Sequence, residues 1–331
     1  MLLICFGTRP EWIKIKPVVD AIRSDIPYKL LFTGQHLDIL DKVNEPVTTL
    51  KICDGLNRLD SIVQSMMNQE SIFDGVTSVL VQGDTTSVFA MALAAFHRGI
   101  KIIHLEAGLR TYNKKHPYPE EFNRRSVSCM ADIHFCPTQK AVDALQAENI
   151  KENVFLVGNT VLDNLSGIDT KYGDEVIVTL HRRENHHIMD QWFNVLNRIA
   201  KNYPEYKFTI PLHPNPAVQK HRHLLTHVNV VDPIPYDEFI LKLANAKLVI
   251  TDSGGIQEET SFFGKKCIVC REHTERSEGL NTFSFLTSPD KIEVLFHEIQ
   301  KNPIPYGDCP YGDGMASYKI LEILKDYLEK V

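Results

Sequence analysis

Short apolar runs, each ending in a polar or Gly-bearing turn and then giving way to a helical pattern, recur along the whole chain. This alternation limits the fold more than any other feature. In the first half the runs are Leu2–Phe6, Lys29–Thr33, Val79–Gln82, Ile100–Leu105, Ile133–Cys136 and Val154–Val157, with helical spacing over Pro10–Ser24, Leu59–Asn68, Ser87–His97, Glu120–Met130 and Gln139–Gln146. The second half repeats the scheme: strands Val176–Leu180, Lys207–Leu212, Val228–Val231, Lys247–Thr251, Lys266–Cys270 and Thr282–Leu286, helices near Met189–Lys201, Tyr236–Ala246, Gly255–Phe263 and Pro289–Gln300. Strands that alternate with helices predict parallel sheets covered on both faces. The expected fold is α/β: two doubly wound, Rossmann-like domains facing a cleft, with ligand loops at the carboxyl ends of the strands. A chain of 331 residues supports two domains of roughly 160 each. The polar stretch Asn159–Asp174 is the linker candidate, giving domains 1–165 and 166–314. A final helix, Met315–Glu329, is placed to pack back on the first domain.

Composition narrows the partners. Hydrophobic content of 43% and charged content of 24% are those of a soluble globular protein. A net charge of −6 argues against a general nucleic-acid binder, so an anionic substrate must be held by local Arg and Lys. Seven cysteines, an odd and scattered number, fit free thiols in a reducing compartment. Cys267 and Cys270 have CxxC spacing but lie in an apolar run that reads as a strand. No apolar stretch reaches membrane-spanning length and the N-terminus lacks a signal-peptide pattern, so the expected location is cytoplasmic, with no membrane partner.

Four clusters fall at strand ends. The first, Gly7 to Lys14, follows a strand and opens a helix like a phosphate-binding turn, but it is neither GxxxxGK[ST] nor GxGxxG, so no nicotinamide or flavin cofactor is expected. Arg9 and Lys14 are either a local anion-holding pair or solvated surface cations. The second, Gln82 to Ser87, carries Asp84, which reads as a helix N-cap or as a reactive carboxylate. The third carries Glu106 at a strand end and, after Pro117-Tyr118-Pro119, Glu120 at a helix start. Three carboxylates at the ends of one sheet can converge on one pocket, where crowding spreads their pKa values for acid–base work. The fourth is Thr179 to Asn185, with His181 a candidate proton donor beside Arg182 and Arg183; His213 holds the matching place on the next strand. The His221-x-His223 spacing is one that could bind zinc, but these histidines lie in a polar surface pattern, and no metal is expected. In Val249 to Glu259 a strand stops in Ser253-Gly254-Gly255 and a helix begins. That arrangement suits either a phosphate at the helix N-terminus or an ordinary capped helix.

Together these motifs resemble the non-hydrolysing UDP-N-acetylglucosamine 2-epimerases. Phe6-Gly7-Thr8-Arg9-Pro10-Glu11, Gly83-Asp84-Thr85-Thr86, Glu106-Ala107-Gly108-Leu109-Arg110-Thr111, Pro119-Glu120-Glu121, His181-Arg182-Arg183-Glu184, Asp252 to Glu259, Thr274-Glu275-Arg276 and Pro310-Tyr311-Gly312-Asp313-Gly314 occur in that family's order and span nearly the whole chain. The resemblance implies a glycosyltransferase-B type fold, a homodimer, and interconversion of UDP-GlcNAc and UDP-ManNAc by loss and return of UDP through 2-acetamidoglucal, without a cofactor. It implies Asp84, Glu106 and Glu120 as the acid–base set and His181 at the glycosidic oxygen. Arg9, Lys14, Gln35, Arg110 and His213 join the substrate contacts; Ser253, Gly254 and Gly255 hold the diphosphate, Glu259 the ribose and Arg276 a further nucleotide oxygen. Phe239 either packs on the uracil or is a helix core residue. The chain departs from the family between Gln35 and Val79, where it is shorter. There Asn57 stands in place of the Gln of a Pro-Gly-Gln turn, so the residues do not carry over the family's second, regulatory UDP-GlcNAc site. The rival readings are a hydrolysing epimerase that releases ManNAc, a UDP-sugar transferase, and a regulator that binds a nucleotide sugar without chemistry.

Overall fold

The computed structural model describes residues 1–34, 43, 45–53 and 57–328. It divides into two compact units, 1–164 with 312–331, and 165–311.

The first unit is built on β1 (Leu2–Phe6), α1 (Arg9–Ile22), β2 (Tyr28–Phe32), β3 (Val47–Thr49), α2 (Arg58–Asn68), β4 (Ser78–Gln82), α3 (Thr86–His97), β5 (Lys101–Leu105), α4 (Glu120–Met130), β6 (Ile133–Cys136), α5 (Gln139–Ala147) and β7 (Val154–Leu156). Its seven strands are ordered β3-β2-β1-β4-β5-β6-β7, and every described pairing is parallel. The alternation of side chains along a strand decides the two cores. Leu2, Ile4 and Phe6 of β1 join one buried cluster with Trp12, Ile15, Val18 and Ile22 of α1, while Leu3 and Cys5 join the other, with Met91 and Ala95 of α3. A strand buried on both faces reads as an unbroken apolar run, which is why these strands are visible in the sequence. The three-residue strand β3 escapes that reading because Val47, Thr48 and Thr49 are half-buried or exposed.

The second unit holds β8 (Glu175–Thr179), α6 (Met189–Asn202), β9 (Lys207–Pro211), α7 (Pro216–Gln219), β10 (Asn229–Val231), α8 (Tyr236–Asn245), β11 (Leu248–Thr251), α9 (Gly254–Phe262), β12 (Cys267–Val269), β13 (Ser284–Leu286) and α10 (Ile292–Ile299). Its sheet runs β10-β9-β8-β11-β12-β13, again parallel throughout. The chain then ends in α11 (Ala316–Leu328), whose Ile320, Leu321 and Leu324 bury themselves in the α1 cluster of the first unit. Each such side chain contributes about 2 kcal/mol. Asp163 caps this helix by accepting from the amides of Ala316 (3.1 Å) and Ser317 (2.6 Å).

The stretch 159–174 is less open than its polarity suggests. Residues Thr160–Leu165 form a 3₁₀ turn that buries Val161, Leu162 and Leu165. Farther on, the amides of Lys171 and Gly173 bond the carbonyls of Ala244 and Asn245.

Two neighbouring strands of the first unit carry facing histidines, His104 and His134. Both are buried, and in each the Nδ1 atom has no hydrogen-bond partner. Burial pushes their pKa values down, to about 3 for His104 and about 4 for His134. Both are therefore neutral in the folded protein, whereas in the unfolded chain they take up protons as the pH falls through about 6.5. Stability contributed by the neutral forms is present above that value and is lost progressively toward the folded pKa values. Between pH 7 and 5 each imidazole should withdraw on the order of 2 kcal/mol. The raised carboxyl pKa values of Glu11 and Asp84 act in the opposite sense and trim this. Urea midpoints measured across that interval should fall; a flat profile would show that the folded protein protonates these rings.

Candidate functional site

In a doubly wound sheet, the loops at the carboxyl ends of the two strands that flank the reversal of strand order splay apart and leave a crevice. In the first unit those strands are β1 and β4. Thr8 and Glu11 cap α1 reciprocally, in the pattern that the Thr-x-x-Glu spacing encodes. Glu11 also looks inward: Oε2 accepts from the amides of Gly7 (2.6 Å) and Thr8 (2.8 Å), and Oε1 accepts from the Thr85 hydroxyl (2.6 Å). The amides that gave this turn its likeness to a phosphate cradle are thus taken by the chain's own carboxylate. Arg9, beside them, is half-buried and makes no hydrogen bond or ion pair with another described residue.

Asp84, Glu106 and Glu120 are brought together. Asp84 follows Gly83, whose φ of +78° turns the chain sharply off β4. Glu106 leaves β5 in the left-handed region at φ +64°, a strained conformation for a side chain of its size. Glu120 is the first residue of α4. The ammonium of Lys14 and the amide of Gln82 both bond the Glu106 carboxylate. Arg124, one turn along α4 from Glu120, pairs with the Asp84 carboxylate, and the Asn123 amide donates to the Asp84 carbonyl at 2.9 Å.

The electrostatics agree with the geometry. The Asp84 pKa is raised, chiefly because protein surrounds the group, although a quarter of its side chain stays open. Arg124 and Lys14 oppose the shift, and the charges of Glu106 and Glu120 add to it. Asp84 thus senses the charges of both other carboxylates, the kind of crowding that spreads carboxyl pKa values. One acceptor in the cluster is unspent: Oε2 of Glu120 is buried and has no hydrogen-bond partner.

Other expectations for this unit change. Arg110 faces inward, its side chain 2% exposed, with Nε and Nη2 forked onto Glu148 at 2.9 and 2.8 Å and further bonds to Ser128 and the Leu109 carbonyl. All its nitrogens serve the fold, so the structure does not bring Arg110 into the carboxylate cluster. Glu121 is buried and holds the amides of Thr111 and Tyr112. Asn57 caps α2 by accepting from Leu59 at 2.9 Å. Gln35 lies outside the described residues.

In the second unit the strands at the reversal are β8 and β11. Past β8, the buried carboxylate of Asp252 collects the amides of His181 (2.9 Å) and Arg182 (2.9 Å) and the side-chain amide of Asn185 (3.0 Å). It also lies 3.2 Å from Nδ1 of His181. The imidazole is 38% exposed and stacks on the exposed His213, ring centres 5.5 Å apart and 14° from parallel. Burial lowers the His181 pKa, Asp252 pulls it back up, and His213, Arg182 and His186 add to the lowering.

At the end of β11, Ser253 is the N-cap residue of α9 but its side chain makes no capping bond, which leaves the first amides of the helix available. A Cβ on Gly254 would lie 2.9 Å from the Glu275 carboxylate and 3.5 Å from the Arg276 guanidinium, whereas one on Gly255 would meet nothing within 4 Å. Arg276 bonds Glu258 at 2.7 Å and Glu275 at 3.0 Å. Burial alone would raise the Glu275 pKa, but Arg276, Arg271 and Arg182 overcome it and hold the group at about 2. Glu259 is buried and accepts from the Tyr236 hydroxyl at 2.8 Å, which ties α8 to α9; Phe239, one turn along α8, is half-buried.

Sequence reasoning left Asp252, Arg124, Glu275 and Glu11 without roles. The spacing of Arg124 four residues after Glu120 was a usable signal, since i and i+4 share a helix face. Cys267 and Cys270 are buried free thiols whose pKa values burial raises, which makes them inert. Among the described residues no three His, Cys, Asp or Glu side chains are grouped to hold a metal, and no helix is long and apolar enough to cross a membrane.

Two doubly wound units, one with converging carboxylates and one with an open helix N-terminus flanked by arginines, define an α/β enzyme of the nucleotide-sugar class. The profile of the UDP-N-acetylglucosamine 2-epimerase family matches residues 20–325, and the chain belongs to that family. It is 36% identical to the UDP-N-acetylglucosamine 2-epimerase of Campylobacter jejuni, the alignment covering 98% of this chain and 97% of that one. With the Bacillus subtilis enzyme of the same name it shares 35%, over 98% and 94%. The crystal structure of the Neisseria meningitidis UDP-GlcNAc 2-epimerase bound to UDP-GlcNAc superposes with a TM-score of 0.83 at 33% identity, covering 98% of this chain and 99% of that one. The Acinetobacter baumannii MurG structure, at 11% identity and a TM-score of 0.58, shares the fold alone, the pair of sheets of the glycosyltransferase-B type.

Proposed function

We propose that this protein interconverts UDP-GlcNAc and UDP-ManNAc by reversible elimination of UDP. The observation that carries the reading is the convergence of Asp84, Glu106 and Glu120 at the strand ends of the first unit, with Lys14 and Arg124 balancing their charge. The hydrogen at C2 of the sugar is barely acidic, so its removal has to be coupled to departure of a good leaving group. A carboxylate takes the C2 proton, the C1–O bond breaks toward UDP, and the freed electron pair becomes the C1=C2 double bond of 2-acetamidoglucal. UDP then re-adds at C1 while a proton reaches C2 from the opposite face. Two faces require more than one proton carrier, which is what a carboxylate cluster supplies and a single base does not.

The second unit supplies the nucleotide chemistry. Ser253, Gly254 and Gly255 offer α9 amides to the diphosphate, and the helix dipole stabilises the charge that builds on leaving UDP. Asp252 holds His181 by its Nδ1 side and favours the doubly protonated ring, the form in which Nε2–H donates to the departing oxygen. Arg276 meets a further phosphate or ribose oxygen, Glu259 the ribose and Phe239 the base. Arg9, an unspent cation, approaches the phosphates or the reacting end, and His213 supports the His181 ring. The enzyme is expected to work as a homodimer.

In deuterium oxide, UDP-GlcNAc incubated with the protein should equilibrate with UDP-ManNAc and acquire deuterium at C2 without added NAD or metal, as read by proton NMR. Quantitative release of free ManNAc and UDP would select a hydrolase instead, and turnover only with a sugar acceptor would select a transferase.

A further inference from the structure

We infer that Glu11 is a positioning residue for the proton chemistry, acting through Thr85 on Asp84. This rests on the epimerase reading and adds to it a group that does not touch substrate. Three observations carry it. Glu11 is buried, yet both its oxygens are fully engaged: Oε2 grips the Gly7 and Thr8 amides at 2.6 and 2.8 Å, and Oε1 accepts from Thr85 at 2.6 Å. These donors belong to two different strand-end loops, the one that presents Arg9 and the one that presents Asp84. Thr85 is bonded twice as well, since its hydroxyl also accepts from the Val88 amide at 3.4 Å and so starts α3.

A carboxylate in this place is expensive to keep. Its pKa is raised, first by burial, with the bonds from Thr85, Gly7 and Thr8 working against that rise. A purely structural cap would be served as well by an exposed Glu at the same helical position, because the reciprocal capping bond does not require the carboxylate to be buried. What burial adds is the reach across to the second loop. Asp84 is thereby fixed from three directions: through its neighbour Thr85 to Glu11, through its carbonyl to Asn123, and through its carboxylate to Arg124. Removing the first tether leaves Asp84 charged and present, but free to swing by a fraction of an ångström. Proton transfer is steeply sensitive to such displacement.

The test uses the Thr85 end, where the tether can be cut and restored without altering a charge. Thr85→Val keeps the shape but loses both the donor to Glu11 and the weak cap on α3; Thr85→Ser keeps both. In C2 deuterium exchange, Thr85→Val should lower kcat by about 10²-fold with KM for UDP-GlcNAc within about twofold of wild type, and Thr85→Ser should recover most of the loss. Glu11→Gln, which can still accept the two amides and turn its NH2 group to the Thr85 oxygen, reverses the tether without cutting it and should lie between Thr85→Ser and Thr85→Val in kcat, with KM unchanged. A thermal unfolding transition of the first unit close to wild type shows that each variant is folded, and unchanged UDP binding by calorimetry shows that the nucleotide site is intact. Wild-type kcat in Thr85→Val overturns the inference, as does a rise in KM at constant kcat or equal impairment of the Val and Ser variants. If wild-type protein itself exchanges no deuterium, the epimerase reading falls and this inference with it.

Discussion

In an Asp84→Asn variant, deuterium exchange at C2 should fall by about 10³-fold or more while UDP is still bound with near-wild-type affinity. The side chain keeps its shape and its acceptor oxygen toward Arg124, so the loss isolates the ability to carry a proton. Surrounding protein raises the proton affinity of Asp84, Arg124 opposes that rise, and the charges of Glu106 and Glu120 add to it. A carboxylate can accept a proton and return it. An amide does neither. Some stability is lost as well: the Arg124 ion pair is partly open to solvent, and Glu121 stays 3.5 Å from the guanidinium, so the change should be about 1 kcal/mol. Calorimetric UDP titration separates the two effects. Exchange at the wild-type rate would remove Asp84 from the mechanism.

The same residue shows what the sequence could and could not disclose. Asp84 reads as a helix N-cap, yet the structure gives that role to Thr85, which frees the Asp84 carboxylate for Arg124. The central strands were legible because they are buried on both faces, and the loops because they fall where apolar runs stop. The strand ends therefore name their residues, and the topology brings Asp84, Glu106 and Glu120 together. The partners of those residues lie far off in sequence and leave no local trace. Arg110 looks like a ligand from its motif and is buried against Glu148, 38 residues away. Asp252 looks like part of a helix start and instead organises the His181 turn, 71 residues away. The Gly7–Thr8 turn looks like an anion site; the Thr-x-x-Glu spacing marks the bond of Glu11 to the Thr8 amide, but its further bonds to Gly7 and Thr85 appear only in the fold. Local pattern specifies where a polar group stands; it does not specify which other polar group satisfies it.

The largest expected effect on folding comes from one methyl group, in Gly108→Ala. Gly108 has a φ of +89°, where an L side chain is strained by about 1–2 kcal/mol. A Cβ there would also overlap the Ala141 peptide, lying 2.7 Å from its carbonyl carbon and 3.0 Å from its Cα. Those are backbone atoms at the start of α5, anchored by Ala141, Val142 and Leu145 in a buried cluster with Ala107, so they cannot step aside as a side-chain tip would. Adding the overpacking of a tight contact, the unit should lose about 3–5 kcal/mol, and the melting temperature of its transition should drop by roughly 10 °C. Gly99 is the matching control. Its φ is +65° but a Cβ would meet nothing within 4 Å, so Gly99→Ala should cost only the conformational strain, about 1 kcal/mol. The contrast matters for chemistry too, because Glu106, itself in the left-handed region, leaves β5 two residues earlier in the same turn. Protein that survives the Gly108→Ala change at low temperature should bind UDP through its second unit and yet exchange the C2 hydrogen far more slowly than wild type. Normal exchange in that variant would mean that the Glu106 turn tolerates displacement and that Lys14 and Gln82 alone hold the carboxylate in place.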